Sequence, residues 1–181
     1  MGSEMCIRDS LYIYIIRGTP MLVQILIIYF GLGQMLRPTG FRWLNIGGTF
    51  TAGTVALSLN AGAYMAEIVR GGIEAVDKGQ IEAARSLGLT YGKTMKKIVL
   101  PQALRTMLPS IINQFIISIK DTSLLSVIGL TELTNVGKTI AATQSAHMMV
   151  IYCFMACYYL FICTVLAQVS KVVEKRLSYG K

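Results

Sequence analysis

Apolar residues gather along the chain in four stretches, each close to the roughly 20 residues that a helix needs to cross a bilayer. Residues 18–36 and 148–169 contain no charged side chain. Residues 46–69 are richer in small and polar side chains, and residues 108–130 carry polar side chains at helical spacing. The pattern predicts an all-α membrane protein with about four spans.

The stretch 46–69 combines a face of small residues with one charged side chain, Glu67, and Arg70 follows directly after it. Ser58, Gly62 and Ala66 recur at every fourth position and share one side of a helix, which predicts a surface that another helix approaches closely. Glu67 and Arg70 lie three residues apart at the end of this stretch, so we expect them to pair with each other or to extend toward the membrane interface, with a gating role as the alternative.

The stretch 108–130 carries a polar stripe on one helix face. Unsatisfied polar groups facing lipid cost several kcal/mol each, so the stripe should face a water-filled path or another subunit. Its members are Ser110, Gln114, Ser118 and Asp121, with Asn113 beside them.

The composition agrees with a membrane location, because 54% of the 181 residues are hydrophobic and 14% are charged, against about a quarter charged in soluble domains. The net charge of +8 is of a size that often indicates nucleic acid as partner. No helix-turn-helix, zinc-finger or aromatic RNA-binding pattern occurs, however, and most basic residues flank apolar stretches. The sequence predicts no nucleic-acid partner, and its four cysteines show no metal or disulfide spacing.

The basic residues also predict an orientation. Residues 77–105 contain six basic and two acidic side chains, and the segment after residue 169 is basic as well. Both segments are therefore expected in the cytoplasm by the positive-inside rule. Two spans separate these segments, so both can lie on the same side of the membrane. The loops 37–45 and 131–147 are then expected outside.

The segment 77–105 itself predicts a helical hairpin. Residues 80–89 favour a helix, Gly88 ends it, and Thr90 is placed to cap a second helix that starts at Tyr91. Leu100 and Pro101 predict a break before the next helix, because the residue before proline is disfavoured in helical geometry.

This hairpin resembles the EAA loop of ABC importer permeases. The resemblance rests on Glu82, Ala83, Ala84, Gly88, Ile98, Leu100 and Pro101 at the family's spacing. Three further segments resemble the polar amino acid permeases within that family: residues 17–20 followed by MLVQ, residues 63–73 and residues 120–124. The resemblance covers residues 11 to about 177.

The resemblance implies a type I ABC importer transmembrane domain. Its EAA loop would dock on a separate cytoplasmic ATP-binding subunit, with Glu82 offering a charge, Ala83 and Ala84 a flat surface and Gly88 the turn. A second permease subunit, identical or different, and an extracytoplasmic solute-binding protein would complete the transporter in the lipid of the bacterial inner membrane. The chain has no phosphate-binding G-x-x-x-x-G-K-[ST] motif, so it is expected to be no enzyme, with ATP bound by the partner and no cofactor or metal of its own.

The polar stripe is the expected substrate path, and a polar amino acid is the expected substrate. Asn113 and Gln114 are the best candidates, since amides can bind both a carboxylate and an ammonium group. Contacts between helices remain an equal alternative for these two residues. No acidic residue lies between Ser110 and Lys120, which favours a neutral substrate such as glutamine.

The chain departs from the family pattern at its start. Relatives are expected to have five spans, and the first ten residues, MGSEMCIRDS, resemble nothing in the family. We interpret 1–10 as an unrelated leader joined to a truncated gene, with a genuine short variant as the alternative, and 178–181 as a cytoplasmic tail.

Two other function classes remain open at this point. One is a self-sufficient channel or secondary carrier, which the lack of internal repeats and broken helices disfavours. The other is a membrane scaffold that transports nothing, which the polar stripe disfavours.

Overall fold

The computed structural model describes residues 11–178, which form seven helices and contain no β-strand. The expected leader 1–10 and residues 179–181 of the tail lie outside this range. The predicted all-α class is confirmed. The helices are α1 Leu11–Gly18, α2 Met21–Met35, α3 Gly48–Glu74, α4 Lys78–Ser86, α5 Tyr91–Ile128, α6 Leu133–Thr143 and α7 Met148–Ser178.

Two helices are long and apolar enough to cross a membrane, α5 and the Met148–Val172 part of α7. The pair α1 and α2 makes a third candidate if the two count as one bent span. The 27 residues of α3 would extend about 40 Å, which is long enough, but its small and polar residues lower its hydropathy. Helices therefore stand at all four predicted positions.

The first span is broken, which the sequence did not predict. Helices α1 and α2 meet at an angle of 106°, and Pro20 caps α2 with extended backbone. Proline lacks an amide hydrogen and disfavours helical geometry in the residue before it, so the chain leaves the helix at Thr19. The expectation that no helix is broken is wrong.

Helices α3 and α5 run antiparallel and form the centre of the fold. A Cβ atom on Gly72 would lie 2.9 Å from the Cβ of Met107, and one on Gly53 would lie 2.9 Å from a methyl carbon of Leu125. Glycine at these two positions lets the helices approach closely, as is usual for helix packing in membranes. At the far end of the pair, Val76 and Val99 are buried with Met107.

Most of the predicted small-residue face of α3 is not the face that packs within the chain. The buried side of α3 includes Ala52, Ala56 and Ala63. The predicted residues Ser58, Gly62 and Ala66 are exposed, although a Cβ on Gly62 would lie 3.5 Å from the hydroxyl of Tyr12 in α1. The sequence contains small residues on both sides of this helix, so their spacing alone could not show which side packs against another helix of the chain.

Helix α5 is continuous from Tyr91 to Ile128, so the predicted break at Leu100 and Pro101 is wrong. A π-helical turn at Met95–Val99 ends two residues before Pro101. Its wider turn accommodates a residue that cannot donate a backbone hydrogen bond. The last part of α5, Thr122–Ile128, tightens to a 3₁₀-helix.

The predicted outer loop 131–147 is mostly helical. Glu132 caps α6 by accepting hydrogen bonds from the backbone N–H groups of Thr134 and Asn135, at 2.7 and 2.6 Å. An acidic side chain at a helix start is favourable because its charge meets free N–H groups. Helix α6 is short and its hydropathy is low, so the search for membrane spans did not predict it.

The close contact of α3 and α5 leads to a test with a matched pair of glycines. The added methyl of Gly72→Ala would overlap Met107, so we expect a loss of about 1–3 kcal/mol in stability. The unfolding temperature in detergent should fall by several degrees, at roughly 2–4 °C per kcal/mol. Gly71→Ala adds a methyl in open space and should leave the temperature unchanged or raise it. Equal destabilisation by both changes would contradict this packing.

Candidate functional site

A polar cavity of about 470 Å³ lies where the break between α1 and α2 meets α3 and α5. The break supplies backbone and small side chains, α3 supplies an amide and a phenol, and α5 supplies an amide and a carboxylate. The polar residues of the lining are Arg17, Thr19, Asn60, Tyr64, Gln114 and Asp121. Charged and amide groups of this kind can bind a small polar molecule.

Gln24 holds the break in place. Its Nε2 atom donates hydrogen bonds to the carbonyl oxygens of Ile16 and Thr19, at 2.6 and 3.0 Å. Its Oε1 atom accepts a hydrogen bond from Asn60 Nδ2 at 3.0 Å. One buried amide therefore satisfies carbonyls that the broken helix leaves free and ties them to α3.

Gln114 is the cavity residue whose hydrogen bonding is incomplete. Its side chain is only 4% exposed, and its Nε2 atom has no hydrogen-bond partner among the described residues. A buried donor without a partner costs about 1–3 kcal/mol. Such a cost is commonly retained where function needs the group.

The predicted polar stripe is only partly at the cavity. Gln114 and Asp121 lie two helical turns apart and both line it, whereas Ser118 is half-buried beside it. Ser110 is exposed, because it lies one turn before Gln114 and beyond the end of the cavity. Asn113 is also exposed, since it is rotated by about 100° from Gln114 around the helix.

The expected pairing of Glu67 with Arg70 is wrong. Glu67 instead lies 3.0 Å from Arg17 of α1, and the Arg17 guanidinium lies 5.4 Å from the ring centre of Tyr64. The expectation failed because it considered only neighbours on one helix. The adjacent Gly18, Thr19 and Pro20 were a usable signal, since they indicate a bend that can return α1 to α3.

A second cavity, of about 680 Å³, lies on the other side of Arg17. It extends toward the carboxyl end of α3 and includes Glu67 and Arg70. The two cavities share four lining residues, Arg17, Gly18, Thr19 and Tyr64. The two cavities therefore adjoin each other at the end of α1.

The predicted hairpin is present as α4 and the start of α5. Asp77 begins α4 by accepting a hydrogen bond from the N–H of Gly79 at 2.8 Å. Gly88 ends the turn with φ of +81°, a conformation that glycine adopts without strain. Thr90 precedes α5 as predicted, but its side chain makes no capping hydrogen bond.

The motif residues of the hairpin differ in exposure. Glu82 and Ala83 are exposed, while Ala84 is 3% exposed and packs inside, so it cannot contribute to an outer contact surface as expected. Leu87 and Tyr91 are strongly exposed at the tip, at 85% and 66%, and the sequence argument missed both.

The later motif residues belong to α5 rather than to the turn. Ile98 is half-buried, and Leu100 and Pro101 are exposed. Gln102 Nε2 donates a hydrogen bond to Gln80 Oε1 at 2.8 Å and ties α4 to α5. The exposed surface of Glu82, Ala83, Leu87 and Tyr91, which we call the hairpin tip, is therefore attached to a long helix.

Among the described residues 11–178, no group of three or more potential metal ligands occurs. Cys153, Cys157 and Cys163 are free thiols on α7. Cys6 lies outside the described range.

Comparisons with known proteins agree on one family. The family model for the binding-protein-dependent transport system inner membrane component matches residues 10–179. The glutamine transport system permease protein GlnP of Escherichia coli K12 is 45% identical over 92% of this chain and 73% of its own length. The arginine transport system permease protein ArtQ of Bacillus subtilis is 40% identical over 92% and 72%.

Solved structures show the same fold. A crystal structure of an amino acid ABC transporter with histidines superposes with a TM-score of 0.82 at 40% identity, over 92% of this chain and 74% of that one. The inward-facing MetNI methionine ABC transporter superposes with a TM-score of 0.67 at 18% identity, over 91% and 73%. The type I ABC importer fold is thereby confirmed. The chain belongs to the family of binding-protein-dependent transport system inner membrane components, which are permease subunits of ABC importers and not enzymes.

Proposed function

We propose that this chain is a permease subunit that carries polar amino acids across the bacterial inner membrane by alternating access. The observation that carries the proposal is the buried Gln114 amide, which lines a polar cavity and has no hydrogen-bond partner among residues 11–178. Relatives that are 40–45% identical are named as glutamine, arginine and cystine permeases.

The cavity suits a zwitterion. Arg17 offers a positive group for a carboxylate, and Asp121 offers a negative group for an ammonium. Asn60 and Gln114 add amides that can bind either end. The sequence argument for a neutral substrate considered residues only up to Lys120, and Asp121 adds a carboxylate to the cavity one position later. We therefore propose a polar amino acid without restricting its side-chain charge.

The hairpin tip is the proposed docking site of a separate ATP-binding subunit. Exposed apolar side chains at a polar turn, Leu87 and Tyr91, are typical of a contact surface. Helix α5 begins at this tip and reaches Gln114 after 23 residues, about 35 Å along one helix. A movement of the docked tip would thus reach the cavity through a continuous element.

The remaining partners follow from the same role. A second permease subunit would cover further surface of the helices, and a solute-binding protein would deliver the amino acid from outside. The hairpin tip and the carboxyl terminus would lie in the cytoplasm, in agreement with the basic residues of both segments. A scaffold without transport would need no polar cavity, so we rank it second.

Replacing Gln114 tests the substrate role. Gln114→Leu in the complete transporter, reconstituted in vesicles, should reduce amino acid uptake roughly 10-fold or more, because a hydrogen bond to a charged group contributes about 1.5–3 kcal/mol. Asn113→Leu removes the same amide from the adjacent, exposed position and should change uptake less than about twofold. Assembly of both variants is checked by size-exclusion chromatography. Normal uptake by Gln114→Leu would contradict the proposed path.

A second pair of variants tests docking at the hairpin tip. Gly88→Val forces a β-branched residue to a φ of +81°, at a cost of about 1–2 kcal/mol, and should displace the tip. We expect at least a 10-fold loss of ATP-binding subunit in co-purification, and a similar loss for Glu82→Lys. Gly92→Ala, in open space on α5, is the matched control and should retain the partner. Full recovery of the partner with both changed tips would exclude this surface.

A further inference from the structure

Arg17 pairs with one carboxylate and also lines the cavity proposed for the substrate. Its guanidinium pairs with Glu67 at 3.0 Å on the side of the larger cavity, and it also lines the smaller cavity with Gln114 and Asp121. Glu67 lines only the larger cavity. Arg17 is thus placed both to pair with Glu67 and to bind a substrate in the smaller cavity.

The pair between Arg17 and Glu67 is suited to exchange. The two side chains are 42% and 43% exposed, so the ion pair is weak and can be replaced by another carboxylate of similar chemistry. Tyr64 lines both cavities and lies against the guanidinium, so its ring can support the cation on either side. A Cβ on Gly18 would meet nothing within 4 Å, so the space beside Arg17 is open.

We propose that Arg17 binds the α-carboxylate of the transported amino acid, and that Glu67 competes with the substrate for Arg17. In the unloaded protein Glu67 holds Arg17, and an arriving carboxylate replaces Glu67 in the smaller cavity. The protein then binds substrate more weakly than Arg17 alone would allow, since only the fraction with a released Arg17 is competent. Weaker binding of the substrate in the smaller cavity favours its release and onward movement. This inference rests on the proposed function and adds a specificity residue and its internal competitor.

The competition predicts opposite effects for the two members of one ion pair. In the permease–ATPase complex in nanodiscs, Arg17→Gln should raise the Kd of radiolabelled substrate about tenfold or more, as expected for loss of a charged bond. Glu67→Gln should lower the Kd about two- to fivefold, because it removes the competitor. The probe is whichever of L-glutamine, L-arginine and L-cystine the wild-type complex transports.

Two further measurements separate this role from a structural one. In the Arg17→Gln background, Glu67→Gln should have no further effect, which a double-mutant cycle measures. The α-carboxamide of the same amino acid should bind wild type and Glu67→Gln alike, because it offers Arg17 no charge. Arg70→Gln removes a nearby cation that lines only the larger cavity, and its Kd should stay within about twofold of wild type.

The possible failures are distinguishable. If Glu67→Gln weakens binding as Arg17→Gln does, the pair is a structural connection and the inference is overturned. The inference is also overturned if Glu67→Gln changes the Kd of the α-carboxamide as much as it changes the Kd of the amino acid. If the wild-type transporter takes up none of the three amino acids, the proposed function itself fails, and this inference fails with it.

Discussion

The structure depends on how the break between α1 and α2 satisfies its backbone. In hydrocarbon, a free carbonyl has no water to bind, so a broken helix persists only where another group supplies hydrogen bonds. The Gln24 amide supplies them to Ile16 and Thr19 and is itself bound by Asn60. The same arrangement opens the polar cavity and places Arg17 against α3.

The continuous helix α5 relates this cavity to the distant hairpin tip. A helix interrupted at Pro101 would leave two bodies joined by a flexible link, whereas the π turn at Met95–Val99 lets one helix carry both ends. The close approach of Gly72 to Met107 fixes α5 against α3 between the tip and the cavity. A displacement at the tip is therefore expected to move helices against each other rather than to be absorbed locally.

Local sequence patterns predicted the features that depend on a single helix or turn. Hydropathy located the strongly apolar α7, and glycine chemistry located the turn at Gly88. The partner of Glu67 could not be predicted this way, because Arg17 lies 50 positions earlier and reaches it only through the bend. Likewise, the spacing of Ser110 and Gln114 defines a helix face but not where the neighbouring helices leave a space along it.

The charges of the cavity support the proposal of a zwitterionic substrate over that of a simple ion. A single ion entering from water loses hydration that one opposite charge repays incompletely in a poorly solvated site. An amino acid carries one charge of each sign, and the cavity lining holds one cation, Arg17, and one anion, Asp121. Both ends of the proposed substrate would then be compensated while the cavity keeps no net charge from these two residues. Glu67 pairs with Arg17 in this structure, so the cation has a partner. Under the proposed competition a substrate carboxylate would replace Glu67, and the charged residue would keep a partner in both states.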